Sequence, residues 1–384
     1  MKKVLIITYY FPPSGGPGVQ RVLKFIKYLP KFGWEPVVLT VKNGQFLGYD
    51  ESLFKDIPKS IKIYKSETIE PFELYNKLTG KKDSSGNVDV NIAELETSKM
   101  NTKQRLIHFI RATFFIPDAR AGWLFKSRKT IKRIMKENKI NAVFSSSPPY
   151  TTALLGRYVR RKFNIPWIAD FRDPWTGYKG TPDRWTIPEL IEKTLERSVF
   201  MDSNAVSVAW EGIIDDAVKK YPKLDRNKFL EILNGFDPDD IPEKSRQKSD
   251  VFTITYTGSL YTIQNPENLF HAVSELIEEG KIDQNKILFQ FVGRIADEVL
   301  KTIENSNLKE NIKIFTYQPH SKVMEILADS DCSLLIGVDS AEKMTNVPGK
   351  TFEYIGIKNP VLTLAPEKSK LAERRGRKAT GPSI

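Results

Sequence analysis

The sequence predicts an α/β protein built from two doubly wound Rossmann-like units. Three observations predict it. A continuous apolar strand, Lys3–Tyr9, runs into a Pro/Gly loop, an amphipathic helix and a second apolar strand, which is how a parallel sheet covered on both faces begins. The same alternation restarts after a charged, proline-bearing stretch at 237–250 (DPDDIPEKSRQKSD). The chain, at 384 residues, is too long for one ordinary core and suits two. We expect a first unit over residues 1–236, a linker over 237–250 and a shorter second unit over 251–384.

In the first unit the loop after the opening strand reads FPPSGGPGVQ. It does not follow G-x-G-x-x-G, because Arg21 stands where the third glycine would be. Gly15 and Gly16 allow a bulky anionic ligand to approach the backbone closely, although a plain tight turn would use them too. Val19, Val22, Leu23, Ile26 and Leu29 give the next helix a wide apolar face, and PVVLTV (36–41) is the second strand. Residues 80–101 are polar and poor in large apolar side chains, and are expected to form a mobile insertion loop. Strands follow at 141–146 and 166–169. The second leads into DFRDPW, so Asp170, Arg172 and Asp173 are expected at its carboxyl tip. A structural Arg–Asp pair would also account for these charges. A helix at 188–201 and strands at 204–208 and 229–233 complete the unit, which ends in Asn234-Gly235.

The second unit reads as a strand at 252–256 with the turn Gly258-Ser259, a helix at 266–279, and a strand at 287–292 ending in Gly293-Arg294. After it come a helix over 299–305, a strand at 311–315, a helix at 322–328 and a strand from Cys332. The stretch from Asn346 to Leu364 closes the series. Pro348 and Gly349 break the chain, a helix starts near Lys350, and Val361–Leu364 forms a buried strand. That helix start offers free backbone N–H groups and a positive dipole end, where a phosphate can bind, and Lys350 adds a full charge. Glu353, about one turn further in, is placed to accept hydrogen bonds from sugar hydroxyls. Phe352 and Ile355 are spaced to face a core. An ordinary amphipathic helix with a solvated Lys and Glu would look the same locally. In both units the strand ends carry small or charged residues, so two facing sheets are expected to line one cleft.

Composition narrows the function. The single cysteine, Cys332, sits in an apolar run and excludes a disulfide framework. His108, His271 and His320 are far apart and show no metal-ligand spacing. Lys2 and Lys3 precede an apolar run that ends at Pro12-Pro13 without a cleavage site, and no apolar stretch is long enough to span a membrane, so a cytoplasmic protein is expected. The net charge is +12, which suits nucleotide diphosphates or acidic lipids. Nucleic acid would also suit the charge, but no helix-turn-helix, zinc or RNA-binding motif is present. Residues 103–139 concentrate Lys and Arg beside Phe109, Phe114, Trp123 and Phe125, a composition suited to an anionic membrane surface; aromatics in a core behind a solvated basic face are the alternative.

Several segments resemble one family. FPPSGGPGVQR, ADFRDPW, ILNGFD, YTGSLY, FVGR, YQPHSKVMEILADSDCSLL and VPGKTFEYIGIKNPVL are similar, in order, to the motifs of retaining glycosyltransferases of the GT-B fold, in the family 4 group that uses nucleotide-diphosphate sugars. The resemblance implies that Gly15 and Gly16 approach the sugar or pyrophosphate. It implies that Asp173 with Arg172 faces the transferred sugar as the catalytic pair. It places Asn234, Gly258, Ser259, Arg294, Lys350, Thr351 and Glu353 at the donor, with Arg294 and Lys350 neutralising the diphosphate and Glu353 holding the ribose. No metal and no further cofactor is implied, because cations and a helix N-terminus carry the leaving charge. The implied partners are a nucleotide-sugar donor and a saccharide or lipid-linked acceptor.

The chain departs from the family in three places. Thr345 stands eight residues before Glu353, where the family often has a second Glu. Ser259 replaces an Arg. Only about 20 residues follow the strand at 361–364, where the family continues with further strand and helix units; the second unit is therefore expected to be incomplete. Two alternatives follow: a relative that binds nucleotide without turnover, and an epimerase on the same fold.

Overall fold

The computed structural model describes residues 1–46, 48–70, 102–177, 182–243, 250–337 and 348–365. The expected loop at 80–101, Thr345, most of the expected linker and the chain after Ala365 lie outside these residues. Two compact units emerge, Met1–Leu233 and Asn234–Ile384, and each holds its own all-parallel sheet.

The first sheet has the order β3-β2-β1-β4-β5-β6-β7. Its strands are β1 (Lys2–Ile7), β2 (Trp34–Val41), β3 (Lys62–Ser66), β4 (Ile140–Ser147), β5 (Trp167–Phe171), β6 (Ala205–Val208) and β7 (Phe229–Glu231). Alternation along β1 serves two cores at once. Leu5 and Ile7 join Trp123, Val143 and Trp167 on one face, whereas Val4 and Ile6 join Val22 and Ile26 of the helix Pro17–Tyr28 on the other. That two-sided burial is why β1 reads as an unbroken apolar run. The strand order reverses between β1 and β4, and both ends of that switch point carry loops: Tyr9–Gly16 after β1, and Pro148-Pro149 after β4.

The second sheet has the order β10-β9-β8-β11-β12, formed by β8 (Phe252–Thr257), β9 (Ile287–Val292), β10 (Ile312–Phe315), β11 (Cys332–Ile336) and β12 (Val361–Leu364). Cys332 is a buried free thiol, as its apolar run predicts.

Four local readings change. β5 extends to Phe171, so Asp170 lies inside the strand and is fully buried, not at its tip. The strand β3 and the helix Gly212–Lys220 appear where neither was expected. β12 is half-buried, because it pairs on one side only, with β11, among the described residues. In the helix Lys350–Ile357 the buried positions are Tyr354, Gly356 and Ile357; Ile355 is exposed and Phe352 half-buried, because the helix packs through the row one position along from the one its apolar spacing suggested.

The basic and aromatic segment forms two helices, Thr102–Phe114 and Ala121–Glu137. Trp123, Ile131 and Ile134 are core, whereas Phe109, Phe114 and Phe125 are exposed. No helix among the described residues is long and apolar enough to cross a membrane.

Candidate functional site

In a parallel sheet every strand delivers its carboxyl end to one edge. In the second unit β8 and β9 deliver Gly258-Ser259 and Gly293-Arg294 there. The two turns are fastened together: Gly258 N–H donates to Val292 O at 2.8 Å, and Leu260 N–H donates to Arg294 O at 2.8 Å. Gly258 has φ +99° and Gly293 φ +137°, left-handed conformations that glycine adopts without strain. A Cβ at Gly293 would lie 2.4 Å from the Gly258 carbonyl oxygen, so these backbones touch where no side chain fits.

Lys350, the first residue of the helix Lys350–Ile357, reaches into this turn. Its Nζ lies 3.7 Å from the centre of the Tyr256 ring, and a Cβ at Gly258 would be 3.2 Å from it. Among the described residues it forms no ion pair. Burial lowers its pKa from 10.5 to about 7, with Glu353 pulling the other way. An ammonium held by a ring face, short of carboxylate, at a helix N-terminus is an anion-binding arrangement. The next side chain, Thr351, keeps a buried hydroxyl with no hydrogen-bond partner among the described residues. A bound ligand oxygen is what such a hydroxyl would accept or donate to.

The helix is held by Tyr354. Its buried hydroxyl donates to Leu334 O at 3.1 Å and accepts from Thr257 N–H at 3.2 Å, linking the helix to β8 and β11. On the same helix Glu353 Oε1 meets His320 Nε2 at 3.0 Å, and His320 Nδ1 lies 4.0 Å from Asp240 Oδ2. Glu353, which lacks its expected carboxylate companion at Thr345, is therefore set by an imidazole. His320 was excluded as a metal ligand by spacing, and the structure gives it a different part. Nothing in the spacing of 320 and 353 announces the contact; the one signal is that Pro319-His320 opens a helix, which aims the ring at whatever that helix packs on. Asn234 comes within reach of the helix start: its Nδ2 is 4.0 Å from a Cβ built on Gly349. Gly258, Ser259, Arg294, Lys350, Thr351, Glu353 and Asn234 thus converge in one unit.

The candidates of the first unit form a second group. Gly15 N–H donates to Gly48 O at 2.9 Å. Gly16, at φ +90°, turns the chain into the helix Pro17–Tyr28, with open space where a Cβ would stand. Arg172 joins this loop, since its Nη2 is 3.6 Å from a Cβ built on Gly18. Its Nη1 donates to Ser146 Oγ at 3.0 Å and its Nη2 to Pro148 O. Burial lowers its pKa, opposed chiefly by Asp173 and then Asp170. Asp170 is different in kind. Its carboxylate accepts from Arg21 Nη2 at 2.9 Å, Ser146 Oγ at 2.7 Å and Ser207 Oγ at 2.7 Å, while Arg21 Nη1 also donates to Ile232 O at 2.7 Å. The structural Arg–Asp pair is real, but its arginine comes from the helix that follows the glycine loop.

Comparison with protein-family profiles and with curated proteins finds no match. Solved structures do match. Sucrose-phosphate synthase from Thermosynechococcus elongatus aligns at TM-score 0.58 and 10% identity, over 96% of this chain and 83% of that one. The E. coli trehalose-6-phosphate structure bound with UDP-2-fluoro glucose aligns at 0.57 and 12%, over 94% and 84%, and TarM at 0.57 and 11%, over 94% and 84%. These likenesses show the fold: two parallel Rossmann-like units, the architecture called GT-B. A Listeria monocytogenes protein described as a UDP-N-acetylglucosamine 2-epimerase shares it at TM-score 0.52 and 12% identity, over 94% of this chain and 79% of its own, so the fold by itself selects no reaction.

Proposed function

We propose that the protein is a glycosyltransferase that takes a sugar from a nucleotide-diphosphate donor and passes it, with retention, to a polysaccharide or lipid-linked acceptor in cell-surface glycan synthesis. The observation that carries the reading is Lys350: a half-buried ammonium short of carboxylate, at a helix N-terminus, against the paired Gly258 and Gly293 turns. In this reading Lys350 and Arg294 neutralise the diphosphate and Thr351 adds a hydroxyl contact. Gly258, Ser259 and Asn234 border the phosphates, and Glu353, set by His320, takes the ribose hydroxyls. Arg172 and Asp173, with Gly15 and Gly16, are the first unit's candidates for the transferred sugar. Fixed cations and N–H groups stabilise the departing diphosphate, so the reading needs no metal. UDP bound in a fold neighbour is compatible with it. A cytoplasmic site of action, at the inner face of a membrane reached through the 103–139 region, completes the reading.

The test is nucleoside diphosphate release from a panel of UDP, GDP and ADP sugars, with and without acceptor. Release that requires acceptor supports the transferase. A changed nucleotide sugar formed without acceptor favours an epimerase, and no diphosphate release across the panel from folded protein removes the transferase. One observation favours a second reading, nucleotide binding without turnover: Thr345 stands where the resembling family has a carboxylate. Tight diphosphate binding without release would select it.

A further inference from the structure

The helix Thr186–Asp202 has apolar residues on both sides. Its buried side carries Val199 and Phe200 together with two glutamates, Glu192 and Glu196, and its exposed side carries Ile187, Leu190, Ile191 and Met201. Those four fall on one face at helical spacing. The carboxylates are inside because they have partners there. Glu192 pairs with Arg184 at 2.7 Å, both almost fully buried, and Glu196 accepts from Thr176 Oγ1 at 2.6 Å and Tyr221 OH at 2.7 Å. A helix that meets only water has the opposite pattern.

A second helix extends the surface. In Thr102–Phe114 the exposed residues Leu106, Phe109, Ile110 and Phe114 again share one face. This helix is locked to its neighbour by polar bonds at its end and by one ring contact. Arg184 donates to Ala112 O at 2.6 Å and to Phe115 O at 3.0 Å. Trp185 Nε1 donates to Thr113 Oγ1 at 2.9 Å, and the Trp185 ring stacks on Phe109 at 6.5 Å. One residue pair, Arg184-Trp185, therefore fixes both helices while leaving Leu106, Phe109, Phe114, Ile187 and Leu190 more than half exposed. Such a contiguous face marks an interaction site.

Charge selects the occupant. Residues 102–139 hold eleven Lys or Arg against two Asp or Glu, most of the chain's +12. Arg105 and Arg197 are exposed beside the apolar faces of the two helices. Apolar anchors with tryptophan and phenylalanine, next to excess positive charge, match the boundary of an anionic bilayer: acyl chains take the apolar face and acidic headgroups take the cations.

We propose that this two-helix face, Leu106/Phe109/Ile110/Phe114 with Ile187/Leu190/Ile191, is the surface by which the protein seats on an anionic lipid leaflet. It deepens the membrane part of the functional reading by moving the contact from the 103–139 segment as a whole to a pair of helices. Trp123, Ile131 and Ile134 are committed to the core, and the 186–202 helix adds Ile187, Leu190 and Ile191 to the exposed face.

The experiment is co-sedimentation of the full chain with vesicles of phosphatidylcholine alone and of phosphatidylcholine with phosphatidylglycerol. Nucleotide-dependent thermal shift is measured on the same samples. The expected result is binding to the anionic vesicles with a blue shift of Trp185 emission. Phe114→Glu with Leu190→Glu should weaken it at least about tenfold, since each takes a large apolar group out of the lipid contact. Arg105→Glu with Arg197→Glu should weaken it on anionic vesicles only. Thermal shift with nucleotide stays unchanged in both variants, so loss of vesicle binding and failure of the transferase reading are separate outcomes. Wild-type protein that ignores anionic vesicles overturns the proposal, as does equal binding by Phe114→Glu/Leu190→Glu. A dimer that those two substitutions convert to monomer also overturns it, by assigning the face to a second copy.

Discussion

Two groups of charge sit in or just beyond strands in this chain, and they are built on opposite rules. At β5 of the first unit, Asp170 is saturated: an arginine and two hydroxyls fill its oxygens, and Arg21 also donates to Ile232 O. At β8 and β9 of the second unit, Lys350 lies half-buried against a ring, and among the described residues it has no ion pair and the adjoining Thr351 hydroxyl has no hydrogen-bond partner. A saturated buried network has nothing left to offer a ligand and serves the fold. A desolvated cation short of counter-charge costs the apo protein stability, and an arriving anion returns that cost. The difference separates scaffold from site more sharply than charge density does, because DFRDPW is the more charged motif in sequence.

The comparison breaks most visibly at Asp170. Asp170→Ala leaves Arg21 buried without its carboxylate and should cost the first unit about 3–5 kcal/mol, read as a lower urea midpoint. A loss below about 1 kcal/mol would mean that the pair is not the structural pin described. Gly293→Ala tests the paired turns. The added Cβ meets the Gly258 carbonyl in a left-handed conformation, at about 1–3 kcal/mol, seen as a lower melting temperature. An unchanged melt would show that the turns can separate. His320→Ala should weaken nucleotide binding severalfold, by about 1 kcal/mol for one hydrogen bond, with His320→Gln keeping part of the effect. Equal loss in both variants would show that the ring matters only for packing.

A separate test is in pH. Lys350 has a folded pKa lowered from 10.5 to about 7. Between those values the unfolded chain holds a proton that the folded chain lacks, so the stability of the apo protein rises with pH across that window. The penalty is full below about pH 7 and fades towards 10.5. Denaturation of wild type and Lys350→Met as a function of pH should show the variant more stable at pH 7 and the gap closing as pH rises; a gap independent of pH would contradict the buried charge.

Much of the fold was legible because parallel strands buried on both faces write themselves as apolar runs. β9 begins and ends where ILFQFV does, and the helix after Gly349 starts at Lys350 as expected. β3 was missed because KIYKS sits at the sheet edge with only Tyr64 and Ser66 inward. Ile355 was misplaced because apolar spacing alone does not tell which row of a short helix is covered. In the site, the glycine turns and Lys350 could be read from their motifs. The partners could not: Arg21 finds Asp170 across 149 residues and His320 finds Glu353 across 33, and no local pattern encodes either meeting. Nor does sequence say that Lys350 is desolvated, which is the property that turns a helix-start lysine into a candidate phosphate site.

The central claim is that the second unit's strand ends hold a nucleoside diphosphate on Lys350. Titration calorimetry of UDP, GDP and ADP into wild type and Lys350→Met tests it most directly. Saturable binding of one diphosphate to wild type is expected at pH 7. Affinity should be lower by about ten- to a hundredfold in Lys350→Met, from about 1.5–3 kcal/mol for a charge-assisted contact, in a variant that melts no lower than wild type. Equal affinity in the two proteins, or a folded wild type that binds none of the three, would contradict it.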